Sequence, residues 1–287
     1  MDAADLIKRV RRIEIKTRKT QNLFAGEYHS AFKGKGMSFS EVREYQFGDD
    51  IRNIDWNVTA RFNHPYIKVF EEERELTVIL LVDVSGSREF GSHDLTKKNL
   101  ITEISAVLSF SAINNNDKIG VIMFSDKIEK FISPQKGRQH ILRIIRELIN
   151  FIPENKGTNL SEALRYLTNT IKKRATVFLL SDFIDNNYED ALKIASRKHD
   201  LIALNIVDER ESELPPIGMV RMKDAETGKM LWVNTNSKKV RKSYQENFTE
   251  RVSTARQLFL KHGVDSATIA THEDYIKPLM NLFKKRI

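Results

Sequence analysis

Apolar positions along the chain come in short unbroken runs separated by segments of helical period. Val78 to Val82 is apolar throughout, and the run ends in Asp83, Ser85 and Ser87 at alternate positions. A strand without polar alternation is buried on both faces, as a central strand of a parallel sheet is. Downstream the two kinds of segment alternate. The spacing predicts a helix over Asp94 to Ala112, strands at Lys118 to Phe124 and Ile128 to Ile132, and helices over Gly137 to Asn150 and Leu160 to Lys172. A second fully apolar strand, Thr176 to Leu180, runs into Ser181 and Asp182. A helix near Tyr188 to Ala195 and a strand at Leu201 to Val207 follow. Such alternation is the mark of an α/β fold, a doubly wound, mostly parallel sheet flanked by helices.

The pattern pauses between Glu213 and Val233, where Pro215-Pro216 and Glu226-Thr227-Gly228 set off a β-hairpin insert near 214–234. It resumes with a long helix, Ser237 to His262, stopped by Gly263. A last strand, Ser266 to Ala270, leads to a terminal helix that Thr271 opens with Asp274 three residues on, an imperfect capping box. Upstream, residues 1–24 read as a basic helix. Ala25 to Glu75 reads as short strands and turns, with Tyr66 to Phe70 as one strand. The expected division is thus 1–75, an N-terminal helix and β-rich segment, and 76–287, the α/β domain with its insert.

Composition narrows the function. There is no cysteine, so neither a disulfide framework nor a thiolate site exists. No signal-peptide core and no apolar run of about 20 residues is present, and the expected location is cytoplasmic. The net charge is +8, and residues 216–287 hold 14 Lys and Arg against 7 Asp and Glu, whereas 76–215 balances 19 against 19. A basic C-terminal third admits a nucleic-acid-binding reading, but no aromatic-interleaved basic motif accompanies it, and a solvated helix face explains it as well.

The candidate chemistry lies at the strand ends. Ligands of open α/β sheets sit beyond the carboxyl ends of the strands, where Asp83 and Asp182 both fall. Between them Asn155-Lys-Gly-Thr-Asn-Leu160 forms a glycine-bearing loop before a helix and carries Thr158. Asp83, Ser85, Ser87, Thr158 and Asp182 supply two carboxylates and three hydroxyls. That donor set leaves positions open on a hard cation and suits Mg²⁺ better than an all-protein calcium cage, with Mn²⁺ or Ca²⁺ as alternatives. A strand terminus with a capping turn would account for the Asp-Ser-Ser triplet alone. A phosphatase that uses Asp83 and Mg²⁺ is another reading, although Ser85 stands where its second Asp belongs. A serine hydrolase lacks both its turn and a placed His.

Asp83-x-Ser85-x-Ser87 followed by Thr158 and Asp182 resembles the metal-ion-dependent adhesion site of the von Willebrand factor A domain. With Arg43-Glu-Tyr, Gly48-Asp-Asp-x-Arg52, Ile54-Asp-Trp56 and Ala60-Arg61 upstream, the chain from about Gly26 onward resembles the bacterial family called domain of unknown function 58. The resemblance implies a von Willebrand A-like sheet with a metal at its top whose free position takes an Asp or Glu from a protein partner. It also implies work beside a MoxR-type AAA+ ATPase in assembling or remodelling other proteins, without catalysis of its own. Relatives often carry N-terminal transmembrane helices. The Gly48-to-Arg61 motif reads either as a partner surface or as an internal network among Asp49, Asp50, Arg52, Asp55 and Arg61.

Overall fold

The computed structural model describes residues 28, 38–71, 76–89, 96–155, 157–185, 187–223 and 230–286. They divide into two compact units, one between Phe32 and Leu76, the other holding Tyr28 and the chain from Thr77 onward. The basic helix expected over 1–24, the start expected at Asp94 and the turn expected at Glu226 to Gly228 lie outside the described residues.

In the smaller unit, β1 (Ser38–Glu44) pairs antiparallel with β2 (Tyr66–Glu71). Between them runs α1 (Trp56–Phe62), in a stretch expected to hold only strands and turns. The helix forms because Asp55 caps it, accepting from the N–H groups of Asn57 and Val58, and because Asn63 closes it in the left-handed region at φ 57°. The Gly48 motif braces its own turns. Arg43 grips Asp49 with two hydrogen bonds of 2.8 Å, and Asp50 holds the Arg52 guanidinium and backbone N–H. Lys68 lies 3.5 Å from Asp55. Arg61 is exposed and joins none of these pairs.

The larger unit contains β3 (Thr77–Asp83), α2 (Lys97–Asn114), β4 (Lys118–Phe124), β5 (Ile128–Gln135), α3 (Arg138–Asn150), α4 (Leu160–Thr170) and β6 (Thr176–Ser181). It continues through α5 (Glu189–Lys198), β7 (Asp200–Val207), α6 (Glu209–Ser212), β8 (Met219–Lys223), β9 (Met230–Asn234), α7 (Lys238–Lys261), β10 (Asp265–Ala270) and α8 (Ile276–Lys284). Six strands form one sheet in the order β10-β7-β6-β3-β4-β5, parallel except for β5, which runs antiparallel beside β4. The β8–β9 hairpin is a separate two-stranded sheet. Among the described residues no helix is long and apolar enough to cross a membrane.

Alternation along β3 sends Ile79 and Leu81 to one face, into a core shared with Leu164 and Leu167 of α4, Leu192 of α5 and Phe259 of α7. On β6 the Phe178 ring lies 6.4 Å from Phe283 of α8, which in turn meets Tyr28 at 6.0 Å. Every residue from Val78 to Val82 is fully buried, which explains the unbroken apolar run. Removing any one of these side chains would cost about 2–5 kcal/mol through lost transfer energy and the cavity left behind.

The terminal helix does not start at Thr271. That residue's N–H donates to the Val207 carbonyl and its hydroxyl donates to Asp208 at 2.5 Å, so it ties β10 to the end of β7. The helix opens instead after Asp274, whose carboxylate accepts from the Ile276 N–H. Pro278 falls in its first turn, where a missing N–H breaks no helical bond.

Candidate functional site

The chain leaves β3 for β4 on one side, while β6 lies on the other. The switch point of the doubly wound sheet is therefore the crevice beyond the carboxyl ends of β3 and β6. The parallel register pairs Val82 with Leu180, which brings the next residues, Asp83 and Ser181, side by side. The Ser181 hydroxyl donates to Asp83 Oδ2 at 2.6 Å. Asp83 Oδ1 accepts from the Ser85 N–H at 2.9 Å. The Ser85 and Ser87 hydroxyls lie 3.1 Å apart, and Ser87 also bonds Asp182. After Ser85 the chain turns through Gly86–Glu89, anchored by the buried Arg88, which donates to the Phe151 carbonyl at 2.6 Å.

Asp83, Ser85, Ser87 and Asp182 are all buried and form one cluster. Burial pushes the Asp83 carboxyl up to about 7, and the nearby negative charge of Asp182 adds to the effect. Asp182 goes the other way. Burial alone would raise it, but the Lys97 ammonium, 2.8 Å from Oδ2, holds it below the usual carboxylate range. Two like-charged groups that share a dry site cannot both ionise freely.

Thr158 stands apart from this cluster, with no hydrogen bond to its members. Its loop is fixed at the carboxyl end of β4, the neighbour of β3, because the Asn159 N–H donates to the Ser125 carbonyl at 2.8 Å. The Asn159 side chain then caps α4, and the Leu160 N–H donates to Asp185 at 2.7 Å. Thr158 Oγ1 is buried and has no hydrogen-bond partner among the described residues.

Three residues of this crevice were not anticipated from the sequence. Along the sequence Ser181 is only the end of an apolar strand. Lys97 and Glu211 belong to no metal-site sequence motif, yet the Lys97 ammonium is buried between Asp182 and Glu211, 2.5 Å from the latter. One signal existed for Lys97. It opens α2 with no acidic residue in the first turn, against the helix dipole, and such a placement calls for a local reason.

The donor set fits a hard divalent cation. Two carboxylates and the Ser85 and Ser87 hydroxyls are grouped, and the Thr158 hydroxyl is buried without a partner. The set depends on hydroxyls. Among the described residues no group of three or more His, Cys, Asp or Glu side chains could hold a metal.

The fold is von Willebrand A-like. A conserved hypothetical protein, BatB, from Bacteroides thetaiotaomicron has the same fold, with a TM-score of 0.50 at 13% identity over 74% of this chain and 98% of its own. The SpRpn10 VWA domain matches at a TM-score of 0.42 and 10% identity, over 74% of this chain and 95% of its own. The chain belongs to the family described as Protein of unknown function DUF58, whose model matches residues 41–254. An uncharacterized Mycobacterium bovis protein, Mb1516, is 29% identical over 232 residues, 79% of this chain and 73% of that protein.

Proposed function

We propose that the crevice binds a divalent cation, Mg²⁺ before Mn²⁺ or Ca²⁺, through Asp83, Ser85, Ser87, Thr158 and Asp182, and that the cation captures an acidic side chain of a protein partner. The observation that carries this reading is the meeting of two buried carboxylates, Asp83 and Asp182, from strands distant in sequence. Their hydroxyl neighbours add neutral oxygens, which leave a cation short of charge and receptive to a further carboxylate. The domain is an interaction module, and no catalytic step is assigned to it. Asp83 has no second acid two residues on to serve a phosphatase, and its oxygens are engaged by Ser85 and Ser181. Family resemblance suggests a MoxR-type AAA+ ATPase as the associated machine and the cytoplasm as the place of work.

The test is calorimetric titration of Mg²⁺ into the protein, with capture of the ATPase in Mg²⁺ against EDTA. Asp83→Ala and Asp182→Ala should each abolish cation binding and partner capture while leaving the fold intact. Unchanged Mg²⁺ affinity in both variants would overturn the proposal.

A further inference from the structure

Lys97 is an unusual occupant of a cation site. Its side chain is 2% exposed, and its ammonium touches Asp182 Oδ2 at 2.8 Å and Glu211 Oε1 at 2.5 Å. Burial works against an ammonium, and its position at the helix start adds the repulsion of the dipole. Two carboxylates flank it at ion-pair distance and offset these costs. Glu211 is itself held in place. Its other oxygen accepts from the Asp208 N–H at 3.1 Å, completing a capping box, and Asp208 is tied to Thr271. The ammonium is thus fixed from β7 and α6 on one side and leans on Asp182 on the other.

We infer that Lys97 is an affinity-setting residue of the crevice, an internal cation that shares Asp182 with the bound metal and keeps that metal weakly held until a partner carboxylate completes its shell. This rests on the metal reading above. Like charges within a few ångströms of each other in a poorly solvated site repel strongly, so the fixed ammonium opposes the incoming ion. A partner's carboxylate brings the missing negative charge. Metal and partner should therefore bind together far better than either binds alone, and the module would be free of a tightly held ion between encounters. Glu211 moderates the effect by drawing on the same ammonium.

The experiment is calorimetric titration of Mg²⁺, and separately Mn²⁺, into the full chain and two variants, with cation-induced thermal stabilisation as a second readout. Lys97→Met should tighten the Kd by about tenfold or more, because a neighbouring like charge is gone. Glu211→Gln keeps the capping oxygen, leaves Lys97 to Asp182 alone, and should weaken the Kd about threefold or more. The opposite signs separate this proposal from a merely structural role for the ion cluster, which would weaken binding in both. If Lys97→Met does not fold, Lys97→Gln, which keeps a polar donor beside Asp182 without the charge, takes its place, and unchanged or weaker Mg²⁺ binding there overturns the proposal. A wild-type chain that binds Mg²⁺ with no tightening in folded Lys97→Met sinks the role of Lys97 and leaves the metal site standing. No binding in any of the three sinks both.

Discussion

Asp83→Asn tests the electrostatics of the crevice in the metal-free protein. In the unfolded chain the Asp83 carboxyl loses its proton near 3.8, whereas in the folded protein burial and Asp182 hold the proton until about 7. Between those values the folded state binds more protons than the unfolded one, so stability falls as pH rises from about 4 to about 7. Roughly three pH units at ~1.4 kcal/mol each bound the loss at about 4 kcal/mol, on the order of 10 °C in Tm for a domain of this size. Asn has the same shape. Its amide oxygen still accepts from the Ser85 N–H, and its NH₂ can donate to Ser181 Oγ once that hydroxyl turns. In EDTA the variant should therefore melt higher than the wild type at pH 8, match it near pH 4, and show a flatter profile between. Urea unfolding at four pH values measures this directly. A variant less stable than the wild type at pH 8, with an unchanged pH slope, would refute the reasoning.

Thr158→Val removes a buried hydroxyl that has no partner and keeps its shape. Metal-free stability should stay level or rise by up to about 1–3 kcal/mol, and stabilisation by Mg²⁺ should be lost, both read by thermal melts with and without the cation. Gly120→Ala should destabilise the sheet by about 1–3 kcal/mol or more in urea unfolding. An added Cβ would meet backbone, 2.8 Å from the Ile132 carbonyl oxygen and 2.9 Å from Pro134 N, where the β4–β5 register is already irregular.

The middle of the sheet was legible because β3, β4, β6 and β7 are buried on both faces, which gives unbroken apolar runs such as Val78 to Val82. The shared end of Asp83 and Asp182 followed from parallel register alone. What escaped depends on partners distant in sequence. Thr271 looks like a helix cap, but Asp208 claims its hydroxyl across 63 positions. Trp56–Phe62 is too short to show a period, and the Asp55 cap that permits it sits inside a charged motif that invited an ion-pair reading. Lys97 and Glu211 meet across 114 positions, and nothing local to either announces the other.

Lys97 and Glu211 set the charge of the crevice. Asp83, Asp182 and Glu211 carry three negative charges when ionised, and Lys97 carries one positive charge. The remainder is two negative charges, which one divalent cation would balance. Burial and Asp182 favour a proton on Asp83, which covers part of that deficit, and on the reading proposed above a cation would compete with that proton. A capping turn at the end of β3 would need only Asp83 accepting from the Ser85 N–H. It would not need a second carboxylate from β6, a lysine buried against the helix dipole, or a glutamate carried in from beyond β7. Structural economy would have replaced such a group with apolar side chains of similar volume at little or no loss of stability. Its presence at the switch point is what the proposed exchangeable cation would account for.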